Sequence, residues 1–292
     1  MKANNVPTPL APLGVSVRYI PWRGHQIALH EAGTGPTVLL IHSINASASC
    51  YEMRKPFADL QRDYHVVAID LLGYGDSDRP DMLYSAELYA ELLADVARAL
   101  GGVACMYAVS LSTAFACMAA AAHPEVIARV VLICPTGLVD LVVKGSVGRA
   151  YRILHGTFGA GVYRLLTSRA SLRYFLRSMA YHNPAACDDA MVEVCARAAR
   201  RPGARFAPIC FLTMLLNADL HDVLPRIAQP VLILWGEYAM TTPVTRMPAF
   251  LALLPQATGQ VLPGAMAVQD ECAAEAATSV RGFLAATAHV AV

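Results

Sequence analysis

The hydrophobic positions of this chain follow two alternating patterns. Short runs of β-branched and aliphatic residues, typical of buried strands, are separated by longer segments in which apolar residues recur at helical spacing. The predicted strands cover residues 38–42, 65–70, 103–109, 129–134, 231–235 and 259–262, and the predicted helices cover 49–61, 86–100, 111–122, 243–254 and 270–285. Strands that alternate with helices predict an α/β fold with a mostly parallel sheet covered on both faces. Residues 15–20 and 26–31 add an antiparallel lead-in hairpin, so we expect an eight-stranded sheet.

The alternation stops between Gly137 and Leu220, where the pattern is helical and no strand candidate is found. Arginines are interleaved there with Leu, Tyr and Phe. A helical insertion between two strands predicts a cap over the sheet. We therefore expect a core of residues 1–136 and 221–292 and a helical cap of residues 137–220.

Composition narrows the class of protein and its partners. The 292 residues are 56% hydrophobic and 15% charged, with 23 Lys and Arg against 22 Asp and Glu. A chain of this length can bury a large core without disulfides or metals, and its composition is not that of a disordered protein. With a net charge of +1 and no charge run, we expect neither nucleic acid nor an anionic membrane surface as a partner. The low charge content also predicts a homo-oligomer formed through exposed apolar patches.

The cysteines and the N-terminal residues indicate the cellular compartment in which the protein is expected. Eight cysteines are spread through mostly apolar runs without a Cys-x-x-Cys pair, so they are predicted to be reduced thiols of a cytoplasmic protein. Zinc binding and disulfides are the alternatives. Prolines within the first twelve residues interrupt the segment where an export signal needs an apolar helix, so we expect no such signal. Residues 103–122 are uncharged and long enough for a membrane span, but a buried strand that turns sharply into a buried helix near Ser110 and Ser112 explains them equally well.

Five motifs follow one another in order along the chain. They are VLLIHSINAS at 38–47, DLLGYGDSDRP at 70–80, AVSLS at 108–112, PVLILWGE at 230–237 and PGAMAVQDE at 263–271. Together they resemble the α/β-hydrolase superfamily, in particular its capped members such as esterases, haloalkane dehalogenases and epoxide hydrolases. The resemblance covers nearly the whole chain and implies the α/β-hydrolase fold with an inserted helical cap.

Ser110 is the catalytic nucleophile that the resemblance implies. In this family the nucleophile stands on a strained turn between a strand and a helix, and small residues two positions to either side let those elements approach each other. Ala108 and Ser112 occupy these positions in place of glycine. A buried serine bonded within the start of the helix is the alternative.

The resemblance also implies an oxyanion-binding loop after the predicted strand 38–42. It places the main-chain donors at Ile44 and Leu111, with His42 bracing the loop and Asn45 beside the substrate. Because the donors are backbone groups, they persist when catalytic side chains elsewhere are replaced.

The other two members of a serine-hydrolase triad have no counterpart in this sequence. A serine needs a histidine to accept its proton and a carboxylate to orient that histidine. The resemblance places the acid at Ala239, or at Cys134 in relatives whose acid follows the sixth strand, and it places the histidine at Met266, or at Ala267 if the register shifts by one. No histidine lies between positions 221 and 289. We therefore predict a degenerate triad and weak or absent serine hydrolysis.

The remaining features predict an apolar capped pocket for a hydrophobic, carbonyl-bearing small molecule. Met266 becomes an apolar wall, and Tyr238 and His182 are further candidates to line the pocket. We expect a cofactor-independent, non-hydrolytic enzyme of specialised metabolism, of the cyclase, isomerase or lyase type. The alternatives are a pseudoenzyme that only binds a ligand and a serine hydrolase with a non-standard base such as His182. Neither a metal nor a cofactor is predicted, because the sequence has no ligand cluster and no phosphate-binding glycine loop.

Overall fold

A single eight-stranded sheet organises the chain in the computed structural model, which describes residues 10–138 and 147–286. The strands are β1 Val17–Trp22, β2 His25–Ala32, β3 Thr37–Ile41, β4 His65–Ile69, β5 Cys105–Val109, β6 Val130–Ile133, β7 Val231–Gly236 and β8 Ala257–Leu262. Their order across the sheet is β1-β2-β4-β3-β5-β6-β7-β8. β2 runs antiparallel to β1 and β4, and the other neighbouring pairs are parallel. The predicted α/β fold, its eight strands and its lead-in hairpin are confirmed.

Because helices flank the sheet, its central strands are buried and consist of continuous apolar runs. The helices are α1 Arg54–Leu60, α2 Ala86–Ala99, α3 Ser112–Ala122, α4 Val147–His155, α5 Thr157–Leu166, α6 Arg169–Phe175, α7 Asp189–Ala199, α8 Phe206–Leu212, α9 Met247–Leu253, α10 Val268–Glu271 and α11 Ala273–Ala286. Every residue of β5, β6 and β7 is buried, as expected for parallel strands covered on both faces. The Ser85 hydroxyl caps α2 by accepting a hydrogen bond from the N–H of Leu88.

Several predicted element boundaries differ from the structure. The strand predicted over 103–109 begins at Cys105, because Val103 makes only an isolated bridge to Ile127. The helices predicted over 49–61 and 243–254 each begin with a turn of 3₁₀-helix, at Cys50–Met53 and Val244–Arg246. The helix predicted over 270–285 is divided at Cys272, whose backbone angles are not helical.

The described part of the segment between β6 and β7 contains five helices, α4 to α8, as the helical pattern predicts. The division of the chain into a core and a cap at residues 137 and 220 stays a prediction, and residues 139–146 of that segment lie outside the described part. The uncharged stretch 103–122 forms β5 and α3 with a sharp turn between them. Within the described ranges, no helix is both long enough and apolar enough to cross a membrane.

The strand order locates the place where a ligand can bind. After β3 the chain passes to β4 on one side, and β5 then returns to pair with β3 on the other side. Ligands of open α/β sheets bind beyond the carboxyl ends of the strands at such a point of reversal. The loops that follow β3 and β5 are therefore expected to form the site.

Candidate functional site

Ser110 stands on a strained turn between β5 and α3. Its φ of 56° lies in the left-handed region, which costs a non-glycine residue of order 1–3 kcal/mol. Ala108 and Ser112 on either side are fully buried, so the strand and helix pack closely around the turn. The Ser112 hydroxyl donates to the carbonyl oxygen of His42 and ties the turn to the loop after β3. The strain predicted for Ser110 is therefore present, and Ser112 makes a bond that glycine could not.

Glu52 fixes the loop after β3 through two hydrogen bonds. Glu52 Oε2 accepts from the Ser43 N–H at 2.9 Å, and Oε1 accepts from Asn45 Nδ2 at 2.8 Å. Within the described residues, neither the Ile44 N–H nor the Leu111 N–H has an acceptor. Two unpaired N–H groups from neighbouring loops are what a carbonyl oxygen or an oxyanion requires.

His42 braces this loop through both ring nitrogens. Its Nε2 accepts from the Leu71 N–H at 3.1 Å, so the ring carries its proton on Nδ1, which donates to the carbonyl oxygen of Ser43 at 2.6 Å. The ring is fully buried and packs edge-on against Tyr74. With both nitrogens engaged, His42 has no free position from which to take a proton from Ser110.

A cavity of about 440 Å³ lies above the carboxyl ends of the strands, between these loops and the helices of the inserted segment. Of the predicted site residues, Ile44, Asn45, Ser110, Leu111 and Met266 line it. Its wall is mostly apolar, and Glu52 is the one charged side chain among the described lining residues. Such a cavity binds an apolar molecule that offers a few polar contacts.

Met266 occupies the wall position at which the resemblance placed a histidine. Its sulfur accepts hydrogen bonds from Thr241 Oγ1 at 3.2 Å and Thr242 Oγ1 at 3.3 Å. These threonines belong to the loop after β7, and Ala239, at the expected acid position, lies buried in the same loop outside the described cavity wall. The two loops therefore meet as they would for an acid and a histidine, but through a thioether and two hydroxyls.

The alternative positions for the acid and the base, Cys134 and Ala267, carry neither a carboxylate nor an imidazole. Cys134, at the end of β6, is fully buried with φ 45°, and its sulfur accepts from the Gly236 N–H at 3.4 Å. Burial raises the pKa of its thiol to about 12, so the thiol stays protonated near neutral pH. Ala267 lines the cavity and carries no ionisable group.

The described histidines lie away from the cavity wall. Of the nine in the sequence, His289 falls outside the described residues, and none of the other eight lines the cavity. His182 and Tyr238 are stacked on each other, with ring centroids 3.7 Å apart, and neither is part of the wall. The structure thus brings these two candidates together, but neither of them lines the cavity that contains Ser110.

An ion cluster around the buried Asp270 joins the inserted segment to the core beside the cavity. Tyr181, which lines the cavity, donates its hydroxyl proton to Asp270 Oδ2. Arg54 Nη2 lies 2.9 Å from the same oxygen, and Lys55 Nζ lies 3.2 Å from Oδ1. Burial and the Asp270 carboxylate both raise the pKa of Tyr181, so its hydroxyl remains a donor. The cluster orients the Tyr181 side of the wall and contributes no free charge to it.

One group of metal-ligand types comes together in the described part of the chain, at His30, Cys50 and Asp70. Asp70 already accepts from the Cys50 N–H at 2.7 Å, the Asp76 N–H at 2.8 Å and His30 Nε2 at 3.2 Å. Burial raises the pKa of Cys50 well above its ordinary value, which disfavours the thiolate that a metal binds. These hydrogen bonds account for the group as a structural link between β2, β4 and the turn that precedes α1.

Glu52 is the site residue that sequence reasoning missed. It lies on the 3₁₀ turn Cys50–Met53, and its side chain reaches back over nine residues to Ser43. The only signal for it in the sequence is an acidic residue shortly after an oxyanion-type loop, which is an ordinary feature of a helix start.

This chain is similar in sequence and in fold to known hydrolases. Residues 38–278 match the sequence model of the Alpha/beta hydrolase family. The 2-(acetamidomethylene)succinate hydrolase of Mesorhizobium japonicum is 26% identical over 241 residues, covering 81% of this chain and 83% of that protein. The 2-hydroxy-6-oxo-6-(2'-aminophenyl)hexa-2,4-dienoic acid hydrolase of Metapseudomonas resinovorans is 31% identical over 129 residues, only 41% of its length. The solved structure of a serine hydrolase involved in carbazole degradation superposes with a TM-score of 0.76 at 22% identity, covering 92% of this chain and 98% of that one.

Proposed function

Because this chain belongs to the Alpha/beta hydrolase family, we propose that it uses the family's oxyanion-binding pocket without the family's hydrolysis. In this proposal the protein is a cofactor-independent enzyme of the cyclase, isomerase or lyase type. Its substrate is an apolar small molecule whose carbonyl oxygen accepts from the Ile44 and Leu111 N–H groups. The protein folds that substrate into a reactive shape and polarises its carbonyl, which are effects that need no proton transfer from Ser110.

The observation that carries the proposal is the identity of the side chain facing the pocket at the histidine position. Met266 lies in the wall with its sulfur bonded by Thr241 and Thr242, and a thioether does not accept a proton from a serine near neutral pH. His42, the histidine next to the oxyanion loop, has both nitrogens engaged. Residual acceleration by the oxyanion donors and by binding is about 10³- to 10⁴-fold when a triad is removed, which is too little for efficient ester turnover.

The relatives named above hydrolyse a succinate derivative and a dienoic acid, and these activities are not carried over to this chain. The hydrolytic alternative requires a different base, and His182 is the candidate for it. Its ring is stacked on Tyr238 and is not part of the described cavity wall, which favours the non-hydrolytic proposal.

The first test asks whether Ser110 is an activated nucleophile. Purified protein is treated with a fluorophosphonate probe and, separately, with 4-nitrophenyl butyrate, beside its Ser110→Ala variant. We expect no labelling of Ser110 and an ester hydrolysis rate that Ser110→Ala leaves unchanged within about twofold. Strong labelling, or Ser110-dependent turnover near the common enzyme value of about ten per second, would overturn the proposal.

The second test separates an enzyme from a protein that only binds. The protein is incubated with a small-molecule extract of its source organism, and the products are compared by mass spectrometry with those from heat-inactivated protein. A cyclisation or isomerisation gives a product with a new retention time and an unchanged mass. An elimination gives two products whose masses sum to the parent mass. Products whose masses sum to the parent mass plus one water would indicate hydrolysis, and no change in any species would favour the ligand-binding alternative.

A further inference from the structure

The charge inside the cavity comes from Glu52 alone among the described lining residues. We propose that this carboxylate selects the ligand: the cavity accepts a neutral or cationic molecule with an N–H or O–H group facing Glu52, and it rejects carboxylates. This inference rests on the proposed function, because it names the substrate class of the same site.

The Glu52 carboxylate is fixed in place by the loop that it supports. Its Oε2 accepts from Ser43 N at 2.9 Å and its Oε1 from Asn45 Nδ2 at 2.8 Å. Asn45 is held in turn, since its Oδ1 accepts from the Ser47 N–H at 2.8 Å. An ionised carboxylate offers about four acceptor positions, so these two bonds leave about two for a ligand.

No cation among the described residues neutralises Glu52. The basic residues that follow it closely, Arg54 and Lys55, are directed to other acids: Arg54 contacts Asp270 at 2.9 Å and Asp188 at 3.1 Å, and Lys55 contacts Asp270 at 3.2 Å. Neither of them lines the cavity. A negatively charged ligand would therefore meet a like charge between apolar walls, where the repulsion is screened less than in water.

The polar groups of the wall also define what the ligand carries. In the proposed complex, the N–H groups of Ile44 and Leu111 bind a carbonyl oxygen of the ligand, and Glu52, from the turn behind the same loop, binds one of its N–H or O–H groups. A ligand that satisfies these three groups has a carbonyl and an N–H or O–H group within one apolar framework. Amides, amino ketones and hydroxy ketones belong to this class.

The test uses three probes that share one apolar group and differ in charge: phenylpropanamide, phenylpropylamine and phenylpropanoate. Their affinities are measured by isothermal titration calorimetry at about pH 7, where the amine is a cation and the acid an anion. We expect the amide and the amine to bind, and the carboxylate to bind at least about tenfold more weakly than the amide.

Glu52→Gln removes the charge and keeps an acceptor in the loop. It is expected to improve phenylpropanoate binding at least about fivefold, to weaken amine binding, and to leave the amide within about twofold. The matched control is Glu237→Gln, which removes an exposed carboxylate outside the cavity wall and is expected to leave all three affinities unchanged.

Three outcomes would overturn the inference: phenylpropanoate binding as tightly as the amide, a folded Glu52→Gln variant with the wild-type ranking, or no binding of the amide and amine. The wild-type ranking alone decides the matter if Glu52→Gln fails to fold. These are binding measurements, so they are independent of Ser110 labelling. A hydrolytic Ser110 with the expected ranking would refute the proposed function and leave the charge selection standing.

Discussion

The sulfur of Met266 lies 3.2 Å from the hydroxyl oxygen of Thr241. This contact joins the loop after β8 to the loop after β7, the two loops from which the resemblance expects a histidine and an acid. The two loops are therefore in contact, and the positions at which the resemblance expects an acid and a histidine hold Ala239 and Met266. Introducing an acid and a histidine at these two positions tests whether the loops can support serine hydrolysis.

The double substitution Ala239→Asp and Met266→His is expected to create esterase activity. A positioned histidine contributes about 10²- to 10⁴-fold by general base catalysis, so hydrolysis of 4-nitrophenyl butyrate is expected to rise at least about 100-fold over the parent. Adding Ser110→Ala to the double variant should remove the gain. A folded double variant with the parental rate would show that Ser110 is not placed as a nucleophile.

The left-handed backbone of Ser110 predicts a gain in stability on substitution by glycine. Relief of about 1–3 kcal/mol of strain exceeds the roughly 0.5–1 kcal/mol entropic cost of a glycine, so Ser110→Gly is expected to raise the free energy of unfolding by about 1 kcal/mol. Ser110→Ala is the matched control, because alanine keeps the strained φ and is expected to stay near the parent. Urea unfolding measures both variants, and a glycine variant less stable than the alanine variant would contradict this account.

The alternation of apolar runs and helical segments was sufficient to predict the sheet, and the resemblance added the turn at Ser110. These features depend on local pattern: β5 is apolar throughout, and the small residues Ala108 and Ser112 flank the turn. The signals for them lie within a few neighbouring residues of the chain. The lack of a histidine at the expected position could also be predicted from the sequence, because no histidine lies between positions 221 and 289.

The wall of the cavity could not be predicted in the same way, because its contacts join distant residues. Tyr181 reaches Asp270 across 89 positions, and Glu52 enters the wall only because the turn before α1 folds back on the loop after β3. His182 and Tyr238 were predicted to line the pocket, but they stack on each other outside the described wall. Residue type and motif position identify candidates, whereas the direction of a side chain depends on tertiary packing.

The Tyr181 hydroxyl is expected to stabilise the attachment of the inserted segment to the core. Tyr181→Phe removes its bond to the buried Asp270 carboxylate, and hydrogen bonds to charged groups contribute about 1.5–3 kcal/mol. We therefore expect a loss of about 2 kcal/mol in urea unfolding. Tyr174→Phe, at an exposed tyrosine of α6, serves as the control and should change stability by less than about 0.5 kcal/mol. Equal effects of the two substitutions would mean that the Tyr181–Asp270 bond does not contribute.

The buried pair of His30 and Asp70 predicts how stability depends on pH. Burial alone would raise the pKa of Asp70, but its hydrogen bonds from His30 and from the Asp76 N–H lower it below the ordinary 3.8. Burial alone would lower the pKa of His30, but Asp70 raises it above the ordinary 6.5. The contribution of Asp70 is therefore present above about pH 3.8 and is lost as the pH falls, and that of His30 is complete below about pH 6.5 and is lost as the pH rises.

The parent and a His30→Gln variant are expected to differ most in free energy of unfolding between pH 3.8 and 6.5, with the difference shrinking on both sides. Glutamine keeps a polar group beside Asp70 but does not titrate, so the subtraction removes the contributions of the other carboxylates and histidines. Urea unfolding at a series of pH values measures the difference. A difference that is larger above pH 6.5 than below it would mean that His30 is neutral in the folded protein and that Asp70 is stabilised by its backbone donors, the N–H groups of Cys50 and Asp76.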